Sequence, residues 1–178
     1  MITQLAWGNK VSIAFANKAV AICRGFHWYD DAPNDFMSCM AFESDETFKP
    51  DVRNGAGSGA TGLIQFMPST AIDLGTTVQQ LMRMSAEDQL DIVQQYFTPY
   101  APRIKTLSDM YMAILLPSAI GKSEFSALFT SGTVAYRQNA ALDANTDGQI
   151  TKAEAAARVL AKKQRGLQPP YVLAGGWP

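Results

Sequence analysis

The chain contains one histidine, His27, two cysteines, Cys23 and Cys39, and no apolar run of ~20 residues. Each scarcity removes a class of chemistry. A single imidazole leaves no zinc cluster, no Cys–His pair and no Ser–His–Asp relay. His27 stands between Phe26 and Trp28, where packing or surface display is the ordinary role. Two thiols make no disulfide framework. Both sit among apolar residues at helical spacing and read as buried free thiols, with one bridge between them as the alternative. The missing apolar run excludes a membrane-spanning helix, and residues 1–10 are mixed in character and carry no secretory signal. Charge is also sparse: 17% of residues, 15 basic against 16 acidic, net −1. With no basic excess, a nucleic-acid partner is not expected.

Against these absences stands an apolar content of 47% in 178 residues, enough to fill one hydrophobic core. The expectation is one domain spanning residues 1–178, monomeric and mainly α, with at most a small β-hairpin. Ser12 is placed to cap a helix that buries Phe15, Ala19, Ile22 and Cys23 and stops at Gly25. Pro33 and Asn34 open a second helix that ends near Glu43. Residues 44–62, rich in Gly, Ser, Asp and Asn, read as a long loop. Residues 63–66 read as a brief strand. Short helices follow Pro68, Thr77 and Ser85. The strongly apolar stretch 107–116, closed by Pro117, is expected to be the buried central helix. Residues 124–129 and 134–139 read as shorter helical pieces. Thr151 and Glu154 form a capping box for a last helix that ends at Gly166.

Two constellations carry chemistry. The first is Glu43, preceded by Met40, Ala41 and Phe42, with Gly62-Leu63-Ile64-Gln65-Phe66-Met67-Pro68 about twenty residues later. A carboxyl among apolar groups has its pKa raised by desolvation, and one at a helix C-terminus is raised further by the macrodipole. Such an acid can protonate a glycosidic oxygen. Ser44 can bond the carboxyl or the backbone and fix its orientation. The glycine-and-amide turn offers flat backbone and the Gln65 side chain to hold a sugar. The glycines at 55, 57, 59 and 62 are not a phosphate loop, because no Lys-Ser/Thr follows them. Asp45, Glu46 and Asp51 are the candidates for a second carboxylate by proximity in sequence.

Glu43-Ser44, then Phe48-Lys49-Pro50, then Gly59-Ala60-Thr61-Gly62-Leu63-Ile64-Gln65-Phe66-Met67-Pro68-Ser69-Thr70-Ala71 and Leu74-Gly75 resemble the soluble lytic transglycosylase and goose-type lysozyme superfamily over residues 43–75. The resemblance implies a lysozyme-like fold and Glu43 as the catalytic acid and base. It also implies that Ser44, Gly62, Gln65, Phe66 and Met67 serve the substrate groove. The substrate would be a peptidoglycan glycan strand, cut at the β-1,4 bond between N-acetylmuramic acid and N-acetylglucosamine, with an anhydro or a hydrolysed product. In the family an Ala-Tyr-Asn-Ala-Gly segment follows the central helix and its tyrosine supports the acid. Here that region reads Ile114-Leu115-Leu116-Pro117-Ser118-Ala119-Ile120-Gly121, which leaves Tyr136 as the candidate, with Tyr171 as a further one. The departure keeps open a non-catalytic wall-binding or virion structural protein. The lack of a leader resembles phage-encoded wall-degrading proteins, made in the host cytoplasm to act on the periplasmic wall or carried in a phage particle.

The second constellation is Asp143-Ala144-Asn145-Thr146-Asp147-Gly148-Gln149-Ile150-Thr151-Lys152-Ala153-Glu154. Asp143, Asn145 and Asp147 offer side-chain oxygens at positions one, three and five. Gly148 permits the turn, Gln149 offers its carbonyl, and Glu154 can bind in bidentate fashion. Over these twelve residues the chain resembles the EF-hand family, which implies a structural calcium ion. The alternative is a helix cap preceded by a polar turn.

Overall fold

A computed structural model describes residues 2–55 and 57–177. Among them the protein is mainly α-helical, with two two-stranded antiparallel sheets. In chain order the elements are β1 (Gln4–Leu5), α1 (Ile13–Gly25), α2 (Ala32–Glu43), α3 (Pro68–Asp73), α4 (Val78–Leu81), α5 (Ala86–Phe97) and α6 (Leu107–Leu115). They continue with β2 (Ala127–Thr130), α7 (Val134–Asn139), β3 (Gln149–Thr151), α8 (Lys152–Gly166) and β4 (Leu173–Ala174). β1 pairs with β4, and β2 pairs with β3. Hydroxyl caps start most of the helices. Ser12, Thr77, Ser85, Thr106, Thr133 and Thr151 each accept a backbone amide three residues on, which satisfies a donor that the first helical turn leaves open.

The central element is α2. Every residue from 32 to 41 is buried, the polar Asn34, Asp35 and Ser38 included. α1, α6 and α8 pack around it. Its few polar groups are partnered: Asn34 accepts the amide of Ala6 at 2.8 Å, and Asp35 accepts the Tyr29 hydroxyl at 2.6 Å. The 107–116 stretch does not hold the central place expected of it. α6 buries its 109–113 segment and lies to the side of α2. The apolar run of α6 is denser, but α2 is the helix covered on all faces.

Two other segments differ from expectation. The 124–129 stretch is not helical: 127–130 form β2, whose ladder with β3 supplies backbone partners that a piece of helix this short lacks. Residues 63–66 form a turn rather than a strand, closed by paired bonds between Thr61 and Phe66 and with Gln65 at φ 54°. Cys23 and Cys39 are buried free thiols. Among the described residues no helix is long and apolar enough to cross a membrane.

Candidate functional site

Glu43 is the last residue of α2 and is half-buried. Burial pushes its carboxyl up to about 8, and no neighbouring charge contributes to that rise. No hydrogen bond or ion pair holds the carboxyl among the described residues, so nothing stabilises the anion. Two tyrosines feel its charge. Tyr111 of α6 and Tyr96 of α5 are both raised, first by their own burial; the charge of Glu43 adds to this. The Tyr111 ring meets Phe42 edge-on at 5.5 Å, and Tyr96 meets Phe66 edge-on at 6.0 Å. Tyr96 thus links the neighbourhood of the acid to the amide turn.

The segment just after Glu43 is strained. Asp45, Glu46 and Phe48 all have positive φ, at 48°, 62° and 53°, a region that costs an L-residue roughly 1–2 kcal/mol. Three interactions hold it. The Ser44 hydroxyl donates to the carbonyl of Met40 at 2.7 Å and accepts the amide of Phe48 at 3.0 Å. The Phe48 ring is buried against Phe15 and Trp7. Glu46 pairs with Lys162 and Arg165 of α8. Strain of this kind persists only where the surroundings over-determine it, and it clusters at functional sites.

The amide turn is organised by a residue that the sequence did not single out. Gln89 of α5 is fully buried. Its Oε1 accepts the amide of Leu63 at 2.7 Å, and its Nε2 donates to the carbonyls of Leu81 and Pro50. Gly62, at φ 88°, lies so close that a Cβ there would meet Gln89 Oε1 at 2.4 Å. Glycine is therefore required at 62 by both conformation and space. Gln65 donates to the carbonyls of Val52 and Gly62, which spends its Nε2 on the turn itself.

The expected site residues therefore divide. Glu43 and Met67 have side-chain surface open to a ligand, Met67 at 45%. Gln65 is half-buried and keeps its Oε1 free of protein donors among the described residues. Ser44, Gly62 and Phe66 are buried and act from beneath: Ser44 fastens the turn after the acid, Gly62 makes room for Gln89, and Phe66, 2% exposed, carries the turn on Tyr96. The Tyr136 hydroxyl donates to Asp143 Oδ2 at 2.6 Å, whereas the tyrosines that feel the charge of Glu43 are Tyr96 and Tyr111. Tyr171 packs on Trp7 and takes a hydrogen bond from Arg165. Of the three nearby carboxylates, Glu46 is engaged with α8, and Asp45 and Asp51 are exposed.

The 143–154 loop joins α7 to α8 and is closed by its own polar groups. Asp143 Oδ2 accepts the Tyr136 hydroxyl and the amide of Gly148, and the carboxyl is held below the usual range, first by that hydroxyl. Glu154 Oε2 accepts the amide and hydroxyl of Thr151, the amide being the main cause of its lowered pKa. Asn145 Oδ1 accepts the amide of Asp147, and Asp147 Oδ1 that of Gln149. In this geometry no three acidic, His or Cys side chains among the described residues converge as a metal cluster. Yet Asp143 Oδ1 and Glu154 Oε1 are buried without any hydrogen-bond partner. Two bare anionic oxygens, one at each end of a twelve-residue loop, fit a hard cation such as calcium. Ile150 is fully buried and Lys152 is 1% exposed, paired with Asp109 of α6 at 2.6 Å. The loop is anchored to the core through both.

One surface cavity, of about 50 Å³, lies by Cys23, Tyr29 and Pro33. Another, of about 240 Å³, lies beside the amide turn. Glu43 lines neither. No family model, curated protein or solved structure matches the chain.

Proposed function

We propose that the protein is a lysozyme-like glycosidase that cuts the β-1,4 bond of peptidoglycan, with Glu43 as general acid. The observation that carries this reading is a half-buried carboxyl at a helix end, raised to about 8, with no donor and no counter-ion. At neutral pH it holds its proton and can hand it to a leaving sugar oxygen. Once deprotonated, it can act as base in the second half of the reaction. Tyr111, whose hydroxyl finds no partner among the described residues, is the group best placed to steady the acid or a bound sugar.

We take the route to be substrate-assisted, the sugar's own groups completing the displacement and leaving an anhydro end. Mass spectrometry of digested sacculi tests it. Fragments lighter by one water than the hydrolysed form are expected, and hydrolysed ends alone would overturn the anhydro route. Calcium, held by Asp143, Asn145, Asp147, Glu154 and the carbonyl of Gln149, would supply charge balance for the loop and no chemistry at Glu43.

A further inference from the structure

The 240 Å³ cavity beside the amide turn has a mixed lining. Pro68, Ile72 and Val78 give it apolar walls, and Ile72 is 68% exposed. Thr77 and Gln79 add polar groups. Arg53 is its one cation, and among the described residues no carboxylate pairs with that guanidinium. The cavity is built on the candidate substrate turn. The Arg53 backbone bridges to Thr61, and Gly59, at φ 77°, lets the chain pass where a Cβ would meet Pro68 Cγ at 3.2 Å. The space is larger than a single ion or water needs.

We propose that this cavity binds the acidic peptide branch that peptidoglycan carries on its muramoyl sugars. The reading rests on the glycan-cleaving function above. Methyl groups of a short peptide suit the apolar walls, and a planar, always-charged guanidinium suits a carboxylate in a bidentate pair. A branch seated here would fix the register of the strand, so that a peptide-bearing sugar sets which bond reaches Glu43.

The test uses the full chain carrying Glu43→Gln, which prevents turnover, and calorimetric titration with three probes: a muramoyl disaccharide bearing an acidic tetrapeptide, the free tetrapeptide, and a chitin tetrasaccharide. The disaccharide–peptide is expected to bind about tenfold tighter than the chitin fragment, the size of one charge-assisted contact. Adding Arg53→Gln should erase that advantage and leave chitin binding unchanged. Arg53 is exposed, so circular dichroism should show the same fold. Equal loss for all probes, or no loss for the peptide-bearing one, overturns the proposal. Arg53-dependent binding of the free tetrapeptide with no binding of either sugar would support the cavity and overturn the glycosidase reading instead. No binding by either peptide probe overturns the cavity.

Discussion

Glu43 ends one helix and Glu154 begins another, and their carboxyls are driven in opposite directions. Glu43 lies at the C-terminus of α2, half-buried and without donors, and its pKa rises to about 8. Glu154 lies in the first turn of α8, where the amide and hydroxyl of Thr151 hold it below the ordinary range. The helix macrodipole acts in the same sense at both ends, against a negative charge at the first and in its favour at the second. At Glu43 burial acts with no donor to offset it; at Glu154 an amide and a hydroxyl outweigh a small desolvation. The same residue type can thus be a proton donor at one end of the chain and a fixed anion at the other.

The largest effect expected is on turnover. Glu43→Gln should reduce cleavage of purified peptidoglycan about 10²–10⁴-fold, the usual worth of a positioned acid. Retention of the wild-type rate would break the contrast at its catalytic end. In the wild type the rate should fall as pH rises through about 8, where Glu43 loses its proton.

The next effect is on stability. A raised carboxyl binds its proton more tightly in the folded chain than in the unfolded one, so stability declines as pH rises from about 4.5 to about 8. Each tenfold change in acidity is worth about 1.4 kcal/mol, which makes the loss up to roughly 5 kcal/mol. Glu43→Gln should therefore be the more stable protein at pH 9 by up to that amount, and equal to wild type near pH 4. Urea melts at both pH values measure this, and a gap that does not change with pH would refute it.

Calcium sharpens the other end of the contrast. At a hundred times its dissociation constant the ion should stabilise the fold by about 2.7 kcal/mol, read as a rise in melting temperature that a chelator reverses. Asp143→Asn should abolish the response, and an unchanged melting curve on adding calcium to wild type would remove the ion from the account. The smallest effect is that of Thr151→Ala, which removes a hydroxyl from Glu154 and a cap from α8 and should cost about 1 kcal/mol by thermal melts.

Much of this was legible where the determinant is local. Ser12, Ser85 and Thr151 announced their helices because a hydroxyl and the amide three residues on meet within a single turn. Glu43 could be chosen because its apolar neighbours precede it directly. Gln89, Tyr96 and Tyr111 could not, because their roles arise from convergence of distant segments: Gln89 bonds carbonyls at 50 and 81 and an amide at 63. The central place of α2 was missed for a similar reason. Apolar density marks a helix as buried but not how many neighbours surround it, and polar Asn34, Asp35 and Ser38 made α2 look less interior than α6. Residues 127–130 failed locally because their strand partner lies about twenty positions on.

α8 joins the two ends of the comparison. Its first turn holds Glu154 and Lys152, while Lys162, Lys163 and Arg165 reach Glu46 just after α2, Asp31 just before it and Asp35 in its first turn. The acid and the acidic loop are therefore not separable modules. A truncation that discarded everything beyond residue 142 as an accessory tail would also take away the brace under the turn at 45–48. A minimal fragment has to be trimmed elsewhere.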